Sequence, residues 1–180
     1  MRRFFLLFVP LAFVISPAFA LAATSKFEVS GWLPYWTGAT STNDVAPHLS
    51  ELTTIDPFAY TVQGNGTLLD NAGLQSAPWS TLIAQAKAQK VLVVPTIMWS
   101  NAAQEEAILS NTAKRIALEN TIANLAKKYN YDGVDIDFEN KPADLENDFS
   151  TVLKGLYSRM GQKFVTCDIE ARTPIADEYY

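Results

Sequence analysis

The sequence predicts an α/β fold built on a parallel sheet, on three observations. Short apolar or alternating runs, of strand length, recur near residues 28–33, 52–62, 91–99, 131–139 and 163–172. Stretches with helical spacing of apolar residues, at 78–88, 112–129 and 142–160, separate the later runs. Strands alternating with helices require parallel neighbours joined by right-handed crossovers. The third observation is compositional. Of 180 residues, 48% are hydrophobic and 18% charged, so the chain buries a sizeable core and is not disordered.

Residues 1–22 read as a secretory signal. Arg2 and Arg3 form the charged start, an apolar run follows, and Ala18-Phe19-Ala20 or Ala20-Leu21-Ala22 offers the cleavage site. Pro10 and Pro17 interrupt the run and argue against a membrane anchor. Removing this segment leaves 12 basic against 19 acidic residues, a charge near -7. With no Lys/Arg cluster, nucleic acid is not an expected partner. No membrane association is expected after signal cleavage, and the predicted location is secreted.

Glu28-Val29-Ser30-Gly31-Trp32-Leu33 reads as the first strand, ended by Pro34. Residues 52–62 read as the second, followed by a turn at Gln63-Gly64-Asn65-Gly66-Thr67. In the helix at 78–88, Leu82, Ile83 and Ala86 share a face. Residues 91–99 are too continuously apolar for a two-faced sheet and read as a buried third strand. In the helix at 112–129 the expected buried face is Ile116, Ile122, Leu125, Ala126 and Tyr129. The helix at 142–160 buries Leu145, Phe149, Val152, Leu153, Leu156 and Met160 and ends at Gly161.

Between these last two helices lies Tyr131-Asp132-Gly133-Val134-Asp135-Ile136-Asp137-Phe138-Glu139-Asn140. Asp135, Asp137 and Glu139 alternate with Val134, Ile136 and Phe138. At the period of a strand, one face is apolar and the other a ladder of carboxylates roughly 6.5–7 Å apart. Like charges this close, shielded from water, raise each other's pKa, so one acid can hold a proton near neutral pH. A protonated acid beside an ionised one is what glycosidic bond cleavage uses. Two plainer explanations compete. An exposed edge strand would favour Lys and scattered charge. A Ca²⁺ or Mg²⁺ site would call for a glycine turn or a phosphate-binding loop, and neither follows. No metal and no cofactor are therefore expected.

The fifth run alternates Val165, Cys167, Ile169 and Ala171 with Thr166, Asp168, Glu170 and Arg172. Asp168 and Glu170 either pair with Arg172 in a structural network or extend the acidic site. Cys167 is the single cysteine, which excludes an internal disulfide, and reads as a buried inert thiol. His48 is the single histidine, which excludes a multi-His zinc site.

Asp132-Gly133-Val134-Asp135-Ile136-Asp137-Phe138-Glu139 resembles the D-G-x-D-x-D-x-E signature of glycoside hydrolase family 18. Gly31-Trp32-Leu33-Pro34-Tyr35-Trp36 is similar to that family's first strand. Pro57-Phe58-Ala59-Tyr60-Thr61 with Gly66-Thr67-Leu68 resembles its spore-germination branch. The S-x-G-G usual on the third strand of chitinases is missing, which weakens polymeric chitin as substrate.

The resemblance implies a (β/α)8 TIM barrel. A complete barrel needs about 250 residues, so residues 23–180 are expected to supply a truncated catalytic domain with about strands 1–5. Taken alone, such a fragment is expected to be inactive. The resemblance also implies roles for the acids. Glu139 would donate a proton to the leaving oxygen, Asp137 would orient the substrate's N-acetyl group, and Asp135 would share charge or a proton with Asp137. Asp132 and Gly133 would be structural. The carboxylate spacing by itself leaves a protein nucleophile open. Trp32, Tyr35, Trp36, Tyr60 and Trp99 are the candidate sugar-binding residues, with ordinary aromatic core as the competing explanation. The implied activity is secreted, substrate-assisted, retaining cleavage of a β-1,4-linked N-acetylhexosamine glycan, peptidoglycan or chitin-like. The alternative is a non-catalytic, lectin-like glycan binder.

Overall fold

The computed structural model describes residues 27–169. The signal at 1–22 and the expected contributions of Glu170, Ala171 and Arg172 lie outside the described residues.

The described residues form seven strands and five α-helices, with three short 3-10 turns. The strands are β1 (Trp32–Pro34), β2 (Thr54–Val62), β3 (Leu68–Asp70), β4 (Leu92–Val93), β5 (Thr96–Trp99), β6 (Gly133–Phe138) and β7 (Phe164–Cys167). The helices are α1 (Ala39–Val45), α2 (Trp79–Ala88), α3 (Ala102–Leu109), α4 (Thr112–Lys128) and α5 (Glu146–Met160). The parallel sheet runs β1-β2-β5-β6-β7, so each strand pairs with the next unit in the chain. These are the five strands expected of a partial (β/α)8 barrel.

Three local differences from the sequence reading have physical causes. Pro34 sits inside β1 rather than after it, because β1 is the edge of the described sheet and Pro lacks only a donor that an edge does not use. The third predicted strand is split into β4 and β5 around Val94-Pro95, although both pieces pair with β2. The turn after β2 closes an antiparallel hairpin with β3, and Asn65 Oδ1 accepts from the Thr67 backbone N–H at 3.0 Å.

Helices cover one face of the sheet. α2 buries Leu82, Ile83 and Ala86 as its spacing predicts, and α5 buries Phe149, Val152, Leu156 and Met160. In α4 the buried stripe is rotated from the expected one. It comprises Leu118, Glu119, Ile122, Ala123 and Ala126, and Ile116 is exposed. A buried ion pair explains the rotation. Glu119 bonds Arg159 of α5 at 2.7 Å and lies 3.7 Å from Arg115. Burial raises the Glu119 pKa, and the two guanidiniums oppose that shift. Asparagine caps start α3 and α4, with Asn101 and Asn111 Oδ1 each accepting a backbone N–H at 3.1 Å.

Candidate active site

Asp132 and Gly133 set the position of β6. The Asp132 carboxylate accepts the Val93 backbone N–H at 2.9 Å, and its own N–H donates to the Val93 carbonyl at 2.9 Å. This clip ties β6 to the strand segment beside it. Gly133 pairs with Phe164 of β7. A Cβ at Gly133 would meet the Phe164 backbone oxygen at 2.7 Å, so only glycine allows the strands to approach.

From there β6 is buried along its length. Its register places one row of residues across four strands, Phe58, Thr96, Asp135 and Thr166. This row lies on the face away from the helices. Asp135 is 4% exposed and accepts three hydrogen bonds. Thr166 Oγ1 donates to its Oδ1 at 2.7 Å, and Thr96 Oγ1 and Trp32 Nε1 donate to its Oδ2 at 2.9 and 3.3 Å. Asp137, 5% exposed, occupies the next row beside Met98. Glu139 is half-buried at the strand's C-terminal end, where its N–H donates to the Trp99 carbonyl at 2.7 Å. Asn140 then takes a left-handed φ of 58° and turns the chain, a conformation asparagine tolerates.

Two more acids face this row. Asp56 of β2 pairs with Trp32 of β1. Burial, then the charges of Asp135 and Glu28, push its carboxyl up to about 7. Asp168 follows β7, and burial with its hydrogen bond to Asp135 pushes it up to about 7 as well. A cleft of about 350 Å³ opens on this face, lined by Trp32, Asp56, Asp135, Thr166 and Asp168 among others. Neither Asp137 nor Glu139 lines it. It extends toward the N-terminal ends of the strands, at Thr54 and Leu92, and is the interior of the arc. Among the described residues, no group of three or more His, Cys, Asp or Glu side chains is arranged to hold a metal ion.

At the rim, Trp32 and Trp36 are 52% and 64% exposed. Both make edge-to-face contacts with Phe58, at centroid distances of 5.7 and 5.4 Å, and Tyr35 packs edge-on against Trp36 at 5.3 Å.

Solved structures share this architecture. The spore cortex-lytic enzyme SleL of Bacillus megaterium QM B1551 superposes with a TM-score of 0.69 at 20% identity, over 84% of this chain and 37% of that one. A chitinase from Bacteroides thetaiotaomicron gives 0.67 at 21% identity, over 81% and 47%. A glycoside hydrolase family 18 N-acetylglucosaminidase from Paenibacillus barengoltzii gives 0.61 at 16% identity, over 79% and 45%. The fold is that of family 18 glycoside hydrolases. The chain spans less than half the length of each of these structures. No protein-family model matches it, and no curated protein matches it in sequence.

In a family 18 barrel frame, β6 is the fourth barrel strand. Its acids climb toward the C-terminal end, where barrel enzymes carry their chemistry. The structure brings Asp135 and Trp32 into contact, with Asp137 and Glu139 further along β6 and with Tyr35 and Trp36 packed by Phe58 after β1. It does not bring in Tyr60 or Trp99. A register shift between Phe58 and Tyr60 sets Tyr60 opposite Ile97, in the helix-side row. There its hydroxyl bonds Tyr131 at 2.9 Å. Trp99 pairs with Phe138 in the helix-side core, 1% exposed, with its ring edge-on to Phe138. Both are core residues, a correction to their assignment as sugar binders. Phe58, Thr96, Thr166 and Asp56 belong to the site without having been singled out. The one sequence signal for Asp56 was a charge inside an otherwise apolar strand.

Proposed function

We propose that this chain carries the proton-donating half of a secreted glycoside hydrolase acting on N-acetylhexosamine glycans, peptidoglycan or chitin-like. The observation that carries the reading is the carboxylate ladder of β6. Asp135 and Asp137 are buried on one face, and Glu139 stands half-buried at the C-terminal end of the same strand.

Glu139 is positioned to protonate the glycosidic oxygen as its bond to the anomeric carbon breaks. The carbonyl oxygen of the sugar's own N-acetyl group forms the new bond to that carbon, giving an oxazolinium ion. Asp137 holds the N-acetyl group for this attack and balances its developing positive charge. Water, deprotonated by Glu139, then bonds to the anomeric carbon from the face the leaving group left, breaking the bond to the N-acetyl oxygen, so configuration is retained overall. Trp32 and Trp36 offer exposed ring faces on which sugar rings can stack.

The test pairs two measurements on the protein as its gene encodes it: release of reducing ends from purified peptidoglycan and chitin oligomers, and capture on the same glycans. Release on either glycan supports the proposal. Capture without release on both would replace it with the lectin-like reading.

A further inference from the structure

Asp135 accepts three side-chain hydrogen bonds on the face away from the helices. Three donors converge on it from three different strands: Trp32 of β1, Thr96 of β5 and Thr166 of β7. A fourth group reaches it as well. The Asp168 backbone N–H donates to the Ile136 carbonyl at 3.0 Å, continuing the β6–β7 ladder one residue past Cys167. Alternation therefore puts Asp168 on the same face as Thr166, and its side chain lines the same cleft as Asp135.

We propose that Asp168 is a further positioning residue of this site, donating a hydrogen bond to Asp135 and so holding Asp135 in place below Asp137. The proposal rests on the catalytic reading of the β6 acids.

Two carboxyl groups can hydrogen-bond only when one of them carries a proton. Asp135 accepts from two hydroxyls and an indole N–H, so its oxygens present lone pairs and it is the acceptor of the pair. The proton therefore resides on Asp168. Asp168 Oδ2 is buried and has no hydrogen-bond partner among the described residues. A neutral carboxyl bears that at much lower cost than a carboxylate.

The groups facing Asp168 act in the same sense. Asp135 and Asp137 on β6 and Asp56 on β2 are all acidic, and Glu28 stands beside Asp56. Lys141, after β6, supplies the nearby positive charge, and it acts on Cys167. With the proton in place, Asp168 supplies a donor without adding another negative charge beside Asp135. As pH rises through about 7, the proton leaves, the hydrogen bond is lost and the two acids repel.

The experiment compares Asp168→Asn and Asp168→Ala with wild type in the protein as its gene encodes it. Asparagine keeps a neutral donor at every pH, whereas alanine keeps none. The first measurement is the thermal midpoint as a function of pH. The folded-state pKa of Asp168 is raised from 3.8 to about 7, so its contribution to stability is full below 3.8 and is lost as pH rises through about 7. The wild-type midpoint should fall relative to that of Asp168→Asn across this window. Parallel curves would overturn the proposal. The second measurement is turnover of an N-acetylglucosamine oligomer. Asp168→Asn should retain kcat, whereas Asp168→Ala should lose up to about 100-fold in kcat through misplaced acids. Equal losses in both variants would also overturn it. If wild type turns over no such glycan, the catalytic reading fails separately, and the pH–stability comparison still decides where the proton sits.

Discussion

Gly133 and Phe164 approach too closely for any side chain between them. An added Cβ would stand 2.7 Å from both the Cβ and the backbone oxygen of Phe164. Backbone cannot swing aside as a side-chain tip can, so β7 must move. Gly133→Ala is expected to destabilise the fold by about 1–3 kcal/mol. It should also draw Thr166 away from Asp135. Urea unfolding reads the first effect. A midpoint equal to wild type would mean that the β6–β7 contact has slack.

Glu139→Gln keeps the shape and hydrogen-bonding capacity of the side chain but removes its acidic proton. Turnover should fall by about 10²–10⁴-fold, the usual worth of general acid catalysis, with glycan capture intact. Initial rates and binding isotherms on the same oligomer check this. Unchanged turnover would place the proton donor elsewhere.

Asp137→Asn should slow substrates that carry an N-acetyl group, because the amide can orient that group but cannot balance the oxazolinium charge. A thiazoline that mimics the oxazoline should inhibit the native protein competitively. A thiazoline that fails to bind would argue for a protein nucleophile.

The Asp56 carboxyl is raised from 3.8 to about 7, first by burial and then by the charges of Asp135 and Glu28. A raised folded-state pKa means that the folded protein holds an extra proton between these values. Stability is therefore full below 3.8 and declines as pH rises toward 7. Asp56→Asn should flatten that part of the stability profile. Thermal melts at half-unit pH steps measure it, and a profile that keeps the wild-type slope would count against a proton on Asp56.

Gly155 of α5 packs against the Glu119 carboxylate, and a Cβ there would lie 2.3 Å from its Cδ. Alanine ordinarily stabilises a helix interior by roughly 0.5–1 kcal/mol over glycine. Here the carboxylate has nowhere to go, held by Arg159 at 2.7 Å and Arg115 at 3.7 Å. The clash should win, with a net loss of about 1–3 kcal/mol for Gly155→Ala in denaturant unfolding. A gain in stability would show that Glu119 can leave its two arginines cheaply.

The sheet was legible in the sequence because its later strands are separated by helices whose apolar spacing is clear, as in α2 and α5. α1 was not, since Ala39-Thr40-Ser41-Thr42-Asn43-Asp44-Val45 is polar and partly β-branched, with one buried residue, Thr42. α3 was not either, although the Asn101 cap was a usable signal. The acids of β6 announced themselves because polar and apolar residues alternate strictly there. Trp99 misled for the opposite reason. β5 has Met98 on one face and Ile97 and Trp99 on the other, and the single polar Thr96 is too little alternation to fix its orientation. Tyr60 misled because a register shift reverses the parity of β2 after Phe58, and no residue type marks it. The partners of Asp135 were hidden in ordinary threonines, whose role depends on register across strands far apart in the chain.

The sheet order, with every parallel strand beside its successor, also has a history in time. Trp32 and Asp135 are separated by 103 residues. At roughly 5–20 residues per second of synthesis, the indole leaves the ribosome about 5–20 s before the carboxylate it will bind. β1 and β2 can pair during that interval, and helix-side packing can begin. The polar face must wait, still hydrated, until β6 and β7 emerge. The acid cluster is thus the last part of the described molecule to lose its water, so a nascent chain stalled before Asp135 would already have begun its core while having no site.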